Sequence, residues 1–112
     1  MSSYSQGRDV EYAVIHALTA VGYDCTRAAS SKGAADVIAI GDGEVLLVNV
    51  KRTEYPGPAE RAQLMRITDR LGLVGVPIVA IGPASRLSWW MLTGPGPRDR
   101  RVWGPELVDG IG

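Results

Sequence analysis

The sequence predicts an α/β fold in which a central mixed five-stranded sheet is flanked by helices. Three observations carry this expectation: two amphipathic helical stretches, an Asp-Gly turn joining two apolar β-branched runs, and the position of the second helix between strands. The 112 residues suit one core, and the composition, 46% hydrophobic and 21% charged, is that of a globular chain.

From Gln6 to Val21 the apolar residues Val10, Val14, Ala17, Leu18 and Val21 recur at steps of three and four, the spacing of one buried helix face. Gly22 stops that helix, and Tyr23 to Ala28 reads as a first strand. Ala29 to Ala34 is a Ser- and Gly-containing turn, followed by the apolar strand Asp36 to Ile40. Asp42-Gly43 then signals a hairpin whose two central residues both take positive φ. Glu44 to Lys51 is the antiparallel partner, and its run Val45-Leu46-Leu47-Val48 suits a central strand covered on both faces.

Tyr55-Pro56-Gly57-Pro58 breaks the chain and opens a second helix running to about Leu71. Leu64, Ile67, Leu71, Ala59 and Ala62 are expected to face inward, and Arg61, Arg66 and Arg70 outward, interleaved with Glu60 and Asp69. Val76 to Ile81 and Leu87 to Leu92 are further strands, and the helix between strands allows a parallel crossover. Gly94-Pro95-Gly96-Pro97 closes the domain at residue 93 and leaves 94–112 as a tail or arm, whose Trp103, Leu107 and Ile111 can dock on the domain or on a partner subunit. Trp89 and Trp90 point to opposite faces of their strand, one into the core and the other exposed for a dimer contact.

Several classes are excluded. The apolar runs fall short of the roughly 20 residues a bilayer span needs, and the polar start at Met1 to Gly7 is no secretory signal. A cytoplasmic location without a membrane partner is expected. The single cysteine, Cys25, excludes an internal disulfide framework and a multi-cysteine zinc site, and reads as a small buried strand residue. His16 lies off the apolar stripe and reads as a surface residue. Zero net charge argues against DNA binding by bulk electrostatics. Residues 1–50 hold three basic and six acidic side chains, and residues 51–112 nine and six. That split suits a carboxylate metal site flanked by phosphate contacts, and equally suits scatter.

The chemistry-bearing residues gather at one end of the hairpin. Asp36 opens one strand while Asn49 and Lys51 close its partner, and residues two apart share a face. A carboxylate, an amide and an ammonium thus meet. Metal-assisted phosphodiester hydrolysis needs hard oxygen ligands, a cation to stabilise developing charge, and a positioned water. Asp36 is the obvious ligand, Lys51 the cation, and Glu11, beside the stripe of the first helix, can complete the site. Arg98, Arg100 and Arg101 are candidates for phosphate contact.

Gly7-Arg8-Asp9-Val10-Glu11, Arg27, Ser30-Ser31-Lys32-Gly33, Ala35-Asp36-Val37-Ile38-Ala39 and Val48-Asn49-Val50-Lys51 occur in order over roughly residues 6 to 92. In this the chain resembles the archaeal-type Holliday junction resolvases of the PD-(D/E)XK nuclease superfamily. The resemblance implies a restriction-endonuclease-like core and a homodimer that cuts four-way DNA junctions with Mg²⁺, or Mn²⁺ in its place. It makes Glu11 the acid of the first helix, Asp36 the principal metal ligand, Lys51 the motif lysine, and Ser30 or Ser31 the hydroxyl of the catalytic loop. Arg27 becomes a phosphate-contacting cation, and Arg8, Lys32 and Arg52 are further candidates for DNA contact. Two positions depart from the pattern: Tyr12 stands where the family usually has Arg, and Asn49 where it has Glu or Asp. An Asn oxygen can ligate a metal but brings no charge. Three readings of Asn49 stay open: a relaxed motif that still cuts, a DNA-binding relic, or an engineered inactive form. The alternatives to a junction resolvase are a catalytically silent branched-DNA-binding protein and a nuclease of the same superfamily with other DNA specificity.

Overall fold

A computed structural model describes residues 3–28 and 34–105. Helix α1 (Ser3–Ala20) precedes strands β1 (Asp24–Arg27), β2 (Val37–Gly41) and β3 (Glu44–Lys51). Helix α2 (Pro58–Arg70) and a short 3-10 turn (Gly72–Val74) lead to β4 (Gly75–Ile81), β5 (Ser88–Leu92) and β6 (Arg100–Val102). The strands form one mixed sheet in the order β1-β2-β3-β4-β5-β6, where β3 and β4 run parallel and the other neighbours antiparallel. The expected α/β fold is present with one more strand than the sequence predicts.

Among the described residues each face of the sheet carries one α-helix. Val14 and Leu18 of α1 pack on Val37, Ala39, Leu46, Val48, Ile78 and Ala80. On the opposite face Leu64 of α2 meets Leu47, Val79 and Leu92. The uninterrupted apolar run of β3 is explained by this placement: its alternate side chains enter two different cores. The β2–β3 hairpin turns at Asp42-Gly43 as expected, with Gly41 opposite Glu44. Only Gly43 has positive φ, at 78°, because the chain adopts a turn that needs the left-handed region at one residue and not two.

The sixth strand comes from residues expected to form a tail. Asp99 folds the Gly94–Pro97 segment back: its carbonyl accepts from Thr93 N at 2.8 Å and its Oδ2 from Gly96 N at 3.0 Å. The returning chain then pairs Arg100 with Leu92 and Val102 with Trp90. Trp103 packs on Trp89 with ring centroids 5.5 Å apart, and Arg100 stacks over Trp90 at 4.5 Å. The two tryptophans do take opposite faces, yet both are half-buried and each is covered. Leu107 and Ile111 lie outside the described residues. His16 is exposed, and Cys25 is half-buried with Sγ beside the Ile15 carbonyl.

Helix α2 differs from its expected face. Ala59 and Ala62 are exposed and Leu71 is at the surface, whereas Arg61, Leu64 and Thr68 are buried. Arg61 is inside because its guanidinium has partners there: Nη1 donates to Pro56 O at 2.8 Å and Nε to Pro95 O at 2.9 Å. This side chain fastens the helix start to the Gly94–Pro97 turn. Thr68 returns its hydroxyl to Leu64 O at 2.7 Å, so a polar residue costs little there. Among the described residues no helix is long and apolar enough to cross a membrane.

Leu64 is the apolar anchor that holds α2, and with it the first turn of that helix, against β3. Leu64→Ala is expected to cost about 2–5 kcal/mol in denaturant unfolding. A loss below about 1 kcal/mol would show that α2 is held by other contacts.

Candidate active site

The site lies where β2 begins and β3 ends. Val37 opposite Val48 is the last paired position of the two strands, so the residues just beyond it, Asp36 and Asn49, come side by side. The ladder continues through a side chain: Asp36 N donates to Val48 O at 2.8 Å, and Val50 N donates to Asp36 Oδ2 at 2.8 Å. One carboxylate oxygen therefore replaces a strand carbonyl, and the other is left for chemistry.

Asn49 is 2% exposed, and its Nδ2 donates to Ala34 O at 2.6 Å. Its Oδ1 is buried and has no hydrogen-bond partner among the described residues. The chain approaching Asp36 is thus fastened to β3 three times, by the Val48 carbonyl, the Asn49 amide and the Val50 N–H. An acidic side chain at position 49 would set a carboxylate oxygen against the Ala34 carbonyl, so the local structure suits an amide.

Lys51 shares the face of Asn49, as the two-residue spacing predicts. Its Nζ contacts Glu60 Oε2 at 2.6 Å. Glu60 belongs to the first turn of α2, which Pro56, Gly57 and Pro58 start beside the end of β3. Lys51, Arg52, Tyr55, Gly57 and Glu60 line one cavity of about 330 Å³. In the sequence Glu60 reads as one of several charges on a helix surface. An acid in the first turn of a helix is an ordinary start signal, and only the return of the helix along β3 reveals its neighbour.

Glu11 reaches the site electrostatically while its carboxylate holds Arg27 Nε at 2.9 Å. The same guanidinium lies 5.5 Å from the Tyr12 ring centroid. Tyr12 thus supplies an aromatic face to a cation. Arg8 is half-buried and Arg52, Arg98 and Arg101 are exposed. Arg100 is stacked between Tyr55, at 4.1 Å, and Trp90. Ser30, Ser31 and Lys32 lie outside the described residues.

Charge follows this geometry. Burial pushes the Asp36 carboxyl up to about 6, and the negative charges of Glu11 and Glu60 add to that, against the Val50 N–H and Lys51. Burial acts on Glu60 in the same sense. There the Lys51 ammonium, the Asn49 amide and the Gly57 N–H outweigh it and hold the carboxyl below its usual range. Among the described residues no three His, Cys, Asp or Glu side chains form a ready metal cage. The arrangement can nonetheless offer a divalent cation two hard oxygens, from Asp36 and from the orphaned Asn49 carbonyl. Mg²⁺ commonly takes one or two carboxylates and completes its shell with water and substrate phosphate.

Asp36 makes folding stability depend on pH. Its folded value is raised from 3.8 to about 6, so its contribution is full below pH 3.8 and is lost as pH rises through 6. In EDTA, Asp36→Asn is expected to stabilise the fold above pH 6 by on the order of 1 kcal/mol and to flatten this slope. Parallel unfolding curves for the two proteins between pH 4 and pH 7 would contradict it.

Comparison with known proteins bears on the family and the fold. The model of the archaeal Holliday junction resolvase (Hjc) family matches residues 2–69, a span that includes Glu11, Asp36, Asn49, Lys51 and Glu60. Among solved structures, Hjc of Archaeoglobus fulgidus, a Holliday junction resolvase from an archaeal hyperthermophile, is similar with a TM-score of 0.59. The match covers 70% of each chain at 20% identity, which speaks to the fold. No curated protein matches the sequence. With more than half its length matched by the family model, the chain belongs to the archaeal Holliday junction resolvase family.

Proposed function

We propose that the chain acts as a homodimeric endonuclease that resolves four-way DNA junctions by hydrolysing phosphodiester bonds with Mg²⁺, for which Mn²⁺ can substitute. Family membership supports the reaction class, and the meeting of Asp36, Asn49 and Lys51 at one end of the sheet is the observation that carries the reading.

The donor set fits a hard divalent cation. Asp36 keeps a carboxylate oxygen beyond its bond to Val50, and Asn49 Oδ1 is a buried oxygen lacking a partner among the described residues, a costly state unless a ligand completes it. These two residues would hold the ion, which when bound polarises the phosphoryl group and makes water more acidic.

The chain's own groups do the rest. In hydrolysis a water oxygen bonds to phosphorus, a phosphorus–oxygen ester bond breaks, and the water's proton ends on the departing alkoxide. Lys51 neutralises charge that develops on the phosphoryl oxygens and orients the water. Arg52, on the rim of the same cavity, is placed to contact the DNA backbone, and Arg27, held by Glu11 and Tyr12, presents a fixed cation to it. Ser30, Ser31 and Lys32 are assigned to the catalytic loop by resemblance. Two cuts on opposing strands call for two sites, which a two-fold dimer supplies.

The bond from Asn49 to Ala34 favours a second reading, a branched-DNA-binding protein without cleavage, because it makes the amide part of the structure. Labelled four-way junctions and linear duplex, incubated with Mg²⁺ or EDTA, separate the readings. Cutting of the junction in Mg²⁺ alone is expected, with Lys51→Ala slower by about 100-fold or more. Binding without cutting would establish the silent reading, and equal cutting of linear duplex would remove junction specificity. Sedimentation at micromolar concentration is expected to give a dimer.

A further inference from the structure

Position 49 leaves a shortage of negative charge in this site. Asp36 and the Lys51 ammonium cancel, and Asn49 adds an oxygen but no charge, so these three alone offer a divalent cation a neutral environment. A fourth group changes the balance. Glu60 enters from α2, with Oε2 at 2.6 Å from Lys51 Nζ, and lines the same cavity as Lys51 and Arg52. Its placement is fixed by the fold: Leu64, one helical turn further on, is 0% exposed and packs with Leu47, which lies on the strand face of Asn49 and Lys51. Beside it, Asn49 is 2% exposed, and its Oδ1 has no partner among the described residues, a buried polar atom that calls for a ligand.

We infer that Glu60 supplies from helix α2 the carboxylate that strand β3 lacks at position 49, and faces the divalent cation together with Asp36. Asn49 then has a different task. It positions Asp36 by fastening Ala34 through Nδ2 and contributes a neutral oxygen. The bond from Nδ2 to Ala34 O at 2.6 Å is one that a carboxylate could not make, so charge at this end of the sheet is better delivered from the helix. Glu60 Oε2 is held by Lys51, and the carboxylate also receives the Asn49 amide and the Gly57 N–H, so the ion would share this carboxylate with those donors. This inference rests on the nuclease reading of the same site.

The test compares the full chain with Glu60→Gln, a nearly isosteric change at a half-exposed position, and with the double variant N49D/E60Q. Mn²⁺ binding is measured by calorimetry, junction binding by gel shift in EDTA, and folding by thermal melts. Glu60→Gln is expected to weaken Mn²⁺ binding by about tenfold or more. Junction binding in EDTA is expected to persist and the melt to be cooperative. N49D/E60Q is expected to regain part of the lost affinity, since it returns the charge to the strand. Mn²⁺ affinity within about twofold of the unaltered chain in Glu60→Gln would overturn the inference and leave Glu60 as a positioning partner of Lys51. A folded double variant no better than Glu60→Gln would overturn the equivalence of the two positions. If the unaltered chain neither binds Mn²⁺ nor cuts, the nuclease reading itself fails and takes the inference with it. Loss confined to the Glu60 variant leaves that reading standing.

Discussion

The bond between the Val50 amide and Asp36 Oδ2 is the constraint on which the site depends. It extends the β2–β3 ladder by one step with a side chain in place of a backbone carbonyl. The chain beyond β2 therefore stays fastened to β3, and the carboxylate is held at a fixed distance from the residues that end that strand. The same bond brings an ionisable group into a place where burial disfavours its charge, which raises its pKa to about 6. Backbone pairing and buried charge meet on one side chain, at a local cost in stability.

Around that bond, the sheet delivers partners from both of its faces. Helix α1 brings Glu11, which is shared with the Arg27 guanidinium at the end of β1, and helix α2 brings Glu60 to Lys51. These pairs are partly exposed, so as isolated salt bridges each contributes little to stability. Their value lies in position. Glu11 fixes a cation at the edge of the site, while Glu60 and the Lys51 ammonium fix each other inside the cavity. Arg100, stacked between Tyr55 and Trp90, joins the edge strand to the segment that lines this cavity.

How far the sequence reveals this can be followed residue by residue. Asp42-Gly43 between two apolar runs is a local signal, and it sets the hairpin register that brings Asp36 beside Asn49. The apolar run of β3 announces a strand covered on both faces, and the 3.6-residue stripe of α1 announces the helix that covers one of them. Three features are not local. Arg61 has no apolar signature, yet two carbonyls make it a buried residue. The Gly94–Pro97 segment looks like a linker, and becomes a turn only because Asp99 accepts its amide and β5 offers a free edge. Glu60 is the most consequential case. Along the chain it is one charge among several on a helix surface, and its relation to Lys51 exists only after α2 has folded back along β3.

Those observations give Asn49 a settled place in the fold, as the amide that secures Ala34 while its carbonyl oxygen points to a need for a ligand. In the proposed site Asp36, Asn49 and Glu60 together present oxygen to one divalent cation while Lys51 supplies positive charge beside it. Anomalous scattering from a crystal of the full chain grown with Mn²⁺ tests this most directly. The expected result is a single Mn²⁺ peak contacted by Asp36, by the Asn49 carbonyl and by Glu60. A peak held by Asp36 while Glu60 stays bound to Lys51 alone, or no peak at this end of the sheet, would contradict it.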